Sequence, residues 1–217
     1  MKIAADSAIH LLHEAAFVTV ATHSTQLPGY PYATALPCVV DDAHRPLLCI
    51  SALAEHTKNL LADGRVSLSV VGPESSNVQT AQRMTLLGEA ERFEPDADLV
   101  ARYLRYQPEA EQYLQLDFMF FRFTPRRVRY IGGLGRMGWL EAEAWAGIPA
   151  LAPGEEGDLL RRLSPPAGIR LLGIDFCGID YTVDARRARH AFTEMPSREN
   201  LAEAVEGALA ALATAAP

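Results

Sequence analysis

Apolar residues at Ile9, Leu11, Leu12 and Ala16 recur near helical spacing behind Asp6 and Ser7, either of which can cap, and predict an amphipathic helix over residues 5–16. From Phe17 the texture changes to short strand-like runs: Phe17–Thr22, Tyr32–Val40 and Pro46–Ile50. The turn clusters Leu27–Pro31 and Asp41–Pro46 separate them, which predicts an antiparallel meander. Ala54–Leu61 reads as a short helix closing at Asp63-Gly64, followed by a strand at Val66–Val71 and a polar loop through Gln82. Arg83–Phe93 alternates as a half-buried strand does. Two helical stretches, Leu99–Tyr106 and Ala110–Leu116, precede strands at Phe118–Phe123 and Val128–Ile131. Six or seven strands by residue 131 is the count of a small barrel.

Beyond it, Gly132–Trp139 is a glycine-rich turn, and Pro149–Gly168 reads as a connector. Strands are expected at Ile169–Asp175, Ile179–Val183 and Arg189–Phe192. A terminal helix then starts from Ser197 and carries Leu201, Val205, Leu209 and Leu212 along one side. The predicted class is mainly β (α+β): a barrel domain over residues 1–148 and a small α/β extension over 149–217.

Composition narrows the function classes. The 217 residues are 49% hydrophobic and carry 27 acidic against 20 basic side chains, a net charge of −7. That balance gives no basic field for nucleic acid or an anionic membrane surface. Cys38, Cys49 and Cys177 form no CxxC pair and suggest neither disulfides nor a zinc site, so no metal is expected. No window reaches a membrane span of about 20 apolar residues, and the first 17 residues do not read as a secretory leader. A cytoplasmic protein is expected.

Ser51, Thr57 and Lys58 mark a passage from strand end to helix start, where free N–H groups and the positive dipole end can hold a phosphate dianion. A solvated helix cap explains the same residues equally well. Arg83 can bring a second cation to that anion or pair with Glu89 or Glu91. Thr34 can offer a hydroxyl to a heteroaromatic ring, although threonine is also a routine strand residue. His10 and His13, three apart on one helix, fit a half-exposed face better than a metal. Cys38 and Cys49 sit in apolar runs as inert core thiols. Trp139 and Trp145 are expected to pack the extension onto the barrel. The arginines at 126, 127 and 129, and at 186, 187 and 189, are expected to be solvated or paired with acids.

Three blocks, GYPYATALPCVVDDAHRPLLCISALAEHTKNLLADGRVSLSV, AQRMTLLGEAERF and FRFTPRRVRYIGGLGRMGWL, resemble the flavin-mononucleotide-binding split barrels related to pyridoxamine 5′-phosphate oxidase. Within them the chain is most similar to the HugZ/HutZ-like haem-utilisation branch. The resemblance implies a six-stranded antiparallel Greek-key split barrel with flanking helices, paired into a homodimer with a cofactor cleft at each end of the interface. It implies that Ser51, Thr57, Lys58 and Arg83 hold the FMN phosphate, that Ala33, Thr34 and Ala35 lie beside the ring, and that Gly133, Gly135 and Arg136 close over it. His56 occupies a turn where contact with the cofactor is expected. The activity implied is FMN-dependent oxidoreductase chemistry on a small molecule.

The chain departs from its relatives at two places. No Arg-Leu-His-Asp-Arg type segment follows Trp139, which argues against vitamin B6 oxidation. No His-Met-Asn-x-Asp-His type stretch opens the extension, which weighs against haem chemistry and leaves His190 as the one histidine beyond the barrel, a candidate haem ligand or an exposed strand residue. The alternatives to an FMN protein are therefore a haem-binding or haem-degrading protein and a non-catalytic partner-binding module.

Overall fold

Helix α1 (Ala5–Glu14) turns Ala8, Ile9, Leu11 and Leu12 inward, as its apolar spacing requires. Strands β1 (Phe17–His23), β2 (Pro31–Pro37), β3 (Val39–Val40) and β4 (Pro46–Ser51) follow, then α2 (Glu55–Ala62), β5 (Arg65–Val71) and β6 (Arg83–Phe93). Helix α3 (Ala97–Tyr106) and a 3-10 helix over Pro108–Gln115 lead into β7 (Phe118–Ile131), β8 (Met137–Glu141) and the short α4 (Ala142–Ala146). The C-terminal part holds α5 (Pro153–Arg162), β9 (Arg170–Asp175), β10 (Gly178–Val183), β11 (Arg186–Ala191) and α6 (Leu201–Ala215). The computed structural model describes residues 5–72, 77–133 and 136–215.

The larger sheet runs β2-β1-β5-β6-β7-β4-β3 with β8 also on β7, and curls into a half-barrel. Its six longer barrel strands, β1, β2 and β4 to β7, pair antiparallel throughout. Strand β7 organises it: its first half pairs with β4 and its second half with β8, so the barrel wall divides along this one strand. The β6–β7 ladder shifts register between Leu87 and Gly88, opposite Pro125. A bulge is where a strand tolerates proline, so β7 continues through the Thr124–Arg127 stretch that the sequence leaves between two strands. Gly88 is required there, because a Cβ would run into the Thr124 carbonyl and the Phe123 ring.

Alternation decides what the sheet buries. Val18 and Val20 of β1, Leu68 and Val70 of β5, Leu86 of β6 and Phe121 and Phe123 of β7 point inward and meet α1. A second core joins β9 and β10 to α5 and α6 through Leu159, Ile174, Ile179, Val205 and Leu209. A third cluster sets Leu172 of β9 among Tyr103, Tyr106 and Phe120, so the C-terminal sheet shares buried apolar surface with the barrel.

Three further elements differ from the sequence reading. The run expected over Tyr32–Val40 breaks at Cys38 into β2 and β3. The expected connector contains α5, which begins with Pro153 in its first turn and carries Glu155 and Glu156 at its positive end and Arg161 and Arg162 at its negative end. The glycine-rich turn leads into β8 and α4. Among the described residues no helix is long and apolar enough to cross a membrane.

Candidate functional site

Strand β4 ends at Ser51, whose hydroxyl donates to Asp117 Oδ2 at 3.2 Å and accepts from the Leu53 N–H at 3.2 Å. Ala54 then precedes α2, and no side chain caps this helix. Its positive end is therefore left for an outside acceptor. Thr57 is fully buried with no partner on its hydroxyl, and Glu55 has one buried carboxylate oxygen in the same condition. Lys58 is exposed, and half-buried His56 has its pKa lowered by burial.

Asn59 ties this turn to the strands. Its Nδ2 donates to Thr22 Oγ1 at 3.0 Å, and its Oδ1 accepts from both the N–H and the hydroxyl of Thr25 at 2.9 Å. Thr22 in turn donates to the Tyr32 carbonyl at 3.3 Å, beside Ala33. Asn59 was not legible as a site residue, and its only sequence signal is a polar side chain on the buried side of an amphipathic helix. Along β2, Ala33 and Ala35 face outward and are exposed, whereas Thr34 points to the opposite face and is half-buried.

Arg83 stands elsewhere. Ser51 pairs with Phe118 at the start of β7 and Arg83 with Ile131 at its end, so nearly the whole strand, roughly 40 Å measured along it, separates them within one chain. The Arg83 guanidinium donates to the carbonyls of Val78 at 2.7 Å and of Gln79 and Ala81 at 3.3 Å. Gly133, at φ 105°, and exposed Arg136 lie at this same end, while Gly135 falls outside the described residues. One chain thus carries two half-sites, Ser51–Lys58 at one end and Arg83 with Gly133 and Arg136 at the other. Between them the outer face of the sheet presents small or apolar side chains, among them Phe17, Ala35, Leu87 and Trp139, to solvent.

Further residues form a buried polar cluster that the sequence did not reveal. His13 on α1, expected on a half-exposed face, is only 1% exposed. Its Nδ1 lies 2.7 Å from Asp180 Oδ2 and its Nε2 lies 3.0 Å from His44 Nδ1. Arg189, expected to be solvated or paired with acids, is paired but buried, and donates to Asp175 Oδ1 at 2.8 Å and Asp180 Oδ1 at 2.6 Å. Its Nε donates to His10 Nδ1 at 2.8 Å. Tyr106 donates to Asp180 Oδ2 at 2.6 Å, and Arg102 and Arg105 both pair with buried Glu156.

Burial opposes the charges on Asp175 and Asp180, but Arg189 and His13 outweigh it and hold both carboxyls below the usual range. Burial, helped by His13, lowers His44 to about 3. The cluster joins residues remote in sequence, so no local pattern announces it.

The other expectations divide. Burial pushes the Cys38 thiol up to about 12 and that of Cys49 to about 11, in keeping with unreactive thiols. Trp145 is buried and donates from Nε1 to the His44 carbonyl at 3.2 Å. Trp139 does not pack the extension: it is 43% exposed on the outer sheet face, with the Arg127 guanidinium 4.4 Å from its ring centroid. His190 is half-buried on β11 opposite Ile179.

The sequence pattern of the pyridoxamine 5′-phosphate oxidase family matches residues 6–132. A curated relative, the chloroplastic non-canonical heme oxygenase HOZ of Arabidopsis thaliana, is 35% identical over 118 residues, which are 53% of this chain and 36% of that protein. The chain thus spans about a third of that relative's length. A solved heme binding protein from Mycobacterium smegmatis is 28% identical with a TM-score of 0.63, and the match covers 100% of this chain and 99% of that one. A protein of unknown function from Agrobacterium tumefaciens shares the fold at a TM-score of 0.75 and 24% identity, over 95% of this chain and 94% of that one.

Proposed function

We propose that this chain, which belongs to the pyridoxamine 5′-phosphate oxidase family, binds haem in a cleft formed between two copies of itself. The observation that carries the reading is the match to the Mycobacterium smegmatis heme binding protein, which runs the whole length of both chains. The curated relative is named for haem chemistry as well. The cleft lies in the barrel, residues 1–148, and residues 149–217 form the extension packed on it.

The α2 turn and the neighbouring strand can also meet what haem requires. One exposed cation, Lys58, stands on α2 behind Glu55, while Arg83 of the same chain is far off and engaged with carbonyls. Haem draws most of its hold from apolar surface and an axial ligand, and needs a cation only where a propionate emerges. The residues present fit that demand: Ala33 and Ala35 offer small outward side chains, Lys58 the cation, and His56 an imidazole whose lowered pKa keeps it neutral. Pairing of two copies through the outer sheet face covers Phe17, Leu87 and Trp139 and brings Arg83, Gly133 and Arg136 of the second copy toward the α2 turn. Bound haem supplies redox-active iron, and these residues hold and orient it.

The uncapped start of α2 favours a second reading, in which FMN occupies the same cleft. Ser51, Thr57 and Lys58 then hold the phosphate with Arg83 of the second copy, and Ala33, Thr34 and Ala35 border the ring.

Lys58→Ala tests the placement. Haem affinity is expected to fall roughly tenfold when the ammonium no longer meets a propionate. Unchanged affinity would remove Lys58 from the site.

A further inference from the structure

We propose that His13, His44 and Asp175 bind a divalent transition-metal ion, Zn2+ being the one their chemistry fits, and that this ion fastens the C-terminal sheet to the barrel. One donor atom from each residue lies within 4.8 Å of the others, and all three residues are buried. The donors come from three separate elements: α1, the turn between β3 and β4, and the end of β9.

Two polar atoms of these residues lack a hydrogen-bond partner. His44 Nε2 and Asp175 Oδ2 are buried without a hydrogen bond, a condition that costs about 1–3 kcal/mol for each polar group. An ion held by His13 Nε2, His44 Nδ1 and Asp175 Oδ2 relieves the carboxylate oxygen. His44 is held firmly, its carbonyl accepting from Trp145 and its own N–H donating to the Asp41 carbonyl at 3.1 Å, in a left-handed backbone conformation of φ 58°.

His13 is arranged as metal-bound histidines are. Its Nδ1 lies 2.7 Å from the Asp180 carboxylate, an acceptor, and 3.1 Å from Arg189 Nη1; the closer acceptor keeps a proton on Nδ1 and leaves Nε2 to turn to the ion. A carboxylate behind a histidine fixes the tautomer and the ring orientation in this way. The separation of 3.0 Å between His13 Nε2 and His44 Nδ1 is close to the roughly 3.3 Å edge of a tetrahedron with Zn–N bonds of about 2.0–2.1 Å. Two imidazoles and one carboxylate form a known zinc donor set, with a fourth position left for water. Arg189 neutralises one of the two neighbouring aspartates, so the set keeps one negative charge for the ion.

Because all three ligands are buried, the ion is taken up as the barrel and the C-terminal sheet close on one another. The test therefore refolds the full chain from urea with chelator alone or with Zn2+ or Co2+, removes excess metal, and measures bound metal, thermal midpoint and the Co2+ spectrum. One equivalent per chain, a midpoint raised by Zn2+ and the intense visible bands of tetrahedral Co2+ are expected. His44→Asn, which tolerates the positive φ, should fold and lose the Co2+ bands and at least 100-fold in affinity. Absence of saturable binding by the wild-type chain overturns the proposal, as does equal binding by a folded His44→Asn variant. Should His44→Asn fail to fold, the wild-type Co2+ spectrum decides: weak octahedral bands overturn the site and tetrahedral bands support it.

Discussion

Asp180 Oδ2 on β10 lies 2.7 Å from His13 Nδ1 on α1, so a carboxylate of the C-terminal sheet holds the first helix of the barrel. The same carboxylate takes the Tyr106 hydroxyl and the Arg189 guanidinium. Removing it leaves a buried cation, an imidazole and a phenol short of an acceptor at one stroke. Asp180→Ala is expected to cost about 3–5 kcal/mol, the range for breaking one side of a buried ion pair. Asp158→Ala, which removes an exposed pair with Arg161, should change stability by less than about 1 kcal/mol. Urea unfolding of the two variants checks the contrast, and equal costs would contradict it.

Gly173 sits opposite Asp180 on β9, where a Cβ would overlap the Tyr106 hydroxyl and press on the Glu156 carboxylate. Gly173→Ala should therefore cost about 1–3 kcal/mol by overpacking. In a Tyr106→Phe background the same substitution should cost less, because the atom it meets first is gone. A double-mutant cycle by urea unfolding measures that coupling, and a coupling of zero would refute the account of this glycine.

Burial, reinforced by Arg189, lowers the pKa of His10 from 6.5 to about 4. The folded state therefore resists a proton that the unfolded chain accepts, and the stability held above pH 6.5 drains away as pH falls toward 4. The shift alone amounts to about 2 kcal/mol at pH 5, and the partial exposure of His10 screens it to about 1 kcal/mol. His10→Gln should flatten the urea midpoint between pH 7 and 5 relative to wild type. An unchanged slope would show that His10 does not titrate in this window.

The barrel was legible because its information is local. Alternation from Phe17 to Phe93 and the turn residues around Gly29 and Asp41 mark strands without help from tertiary contact. Helix α5 was hidden by Pro153 and Gly154, which read as loop residues until their place in the first turn is known. The α2 turn was also legible, since Ser51, Thr57 and Lys58 lie within eight residues. The resemblance places Arg83 on the same anion, and only the register of β6 and β7 sets it, within one chain, near the other end of the barrel wall. The buried cluster was not legible at all. His13 and Asp180 are 167 positions apart, and nothing in the spacing of either predicts the other.

The central claim is that haem occupies the cleft. Titrating the purified chain with haemin and, separately, with FMN tests it most directly, read by absorbance and by flavin fluorescence. Haemin should give a saturating Soret shift at one equivalent per chain, while FMN fluorescence stays unquenched at micromolar concentrations. Saturable quenching of FMN, with no saturable Soret change on haemin addition, would contradict the haem reading and establish the flavin in its place.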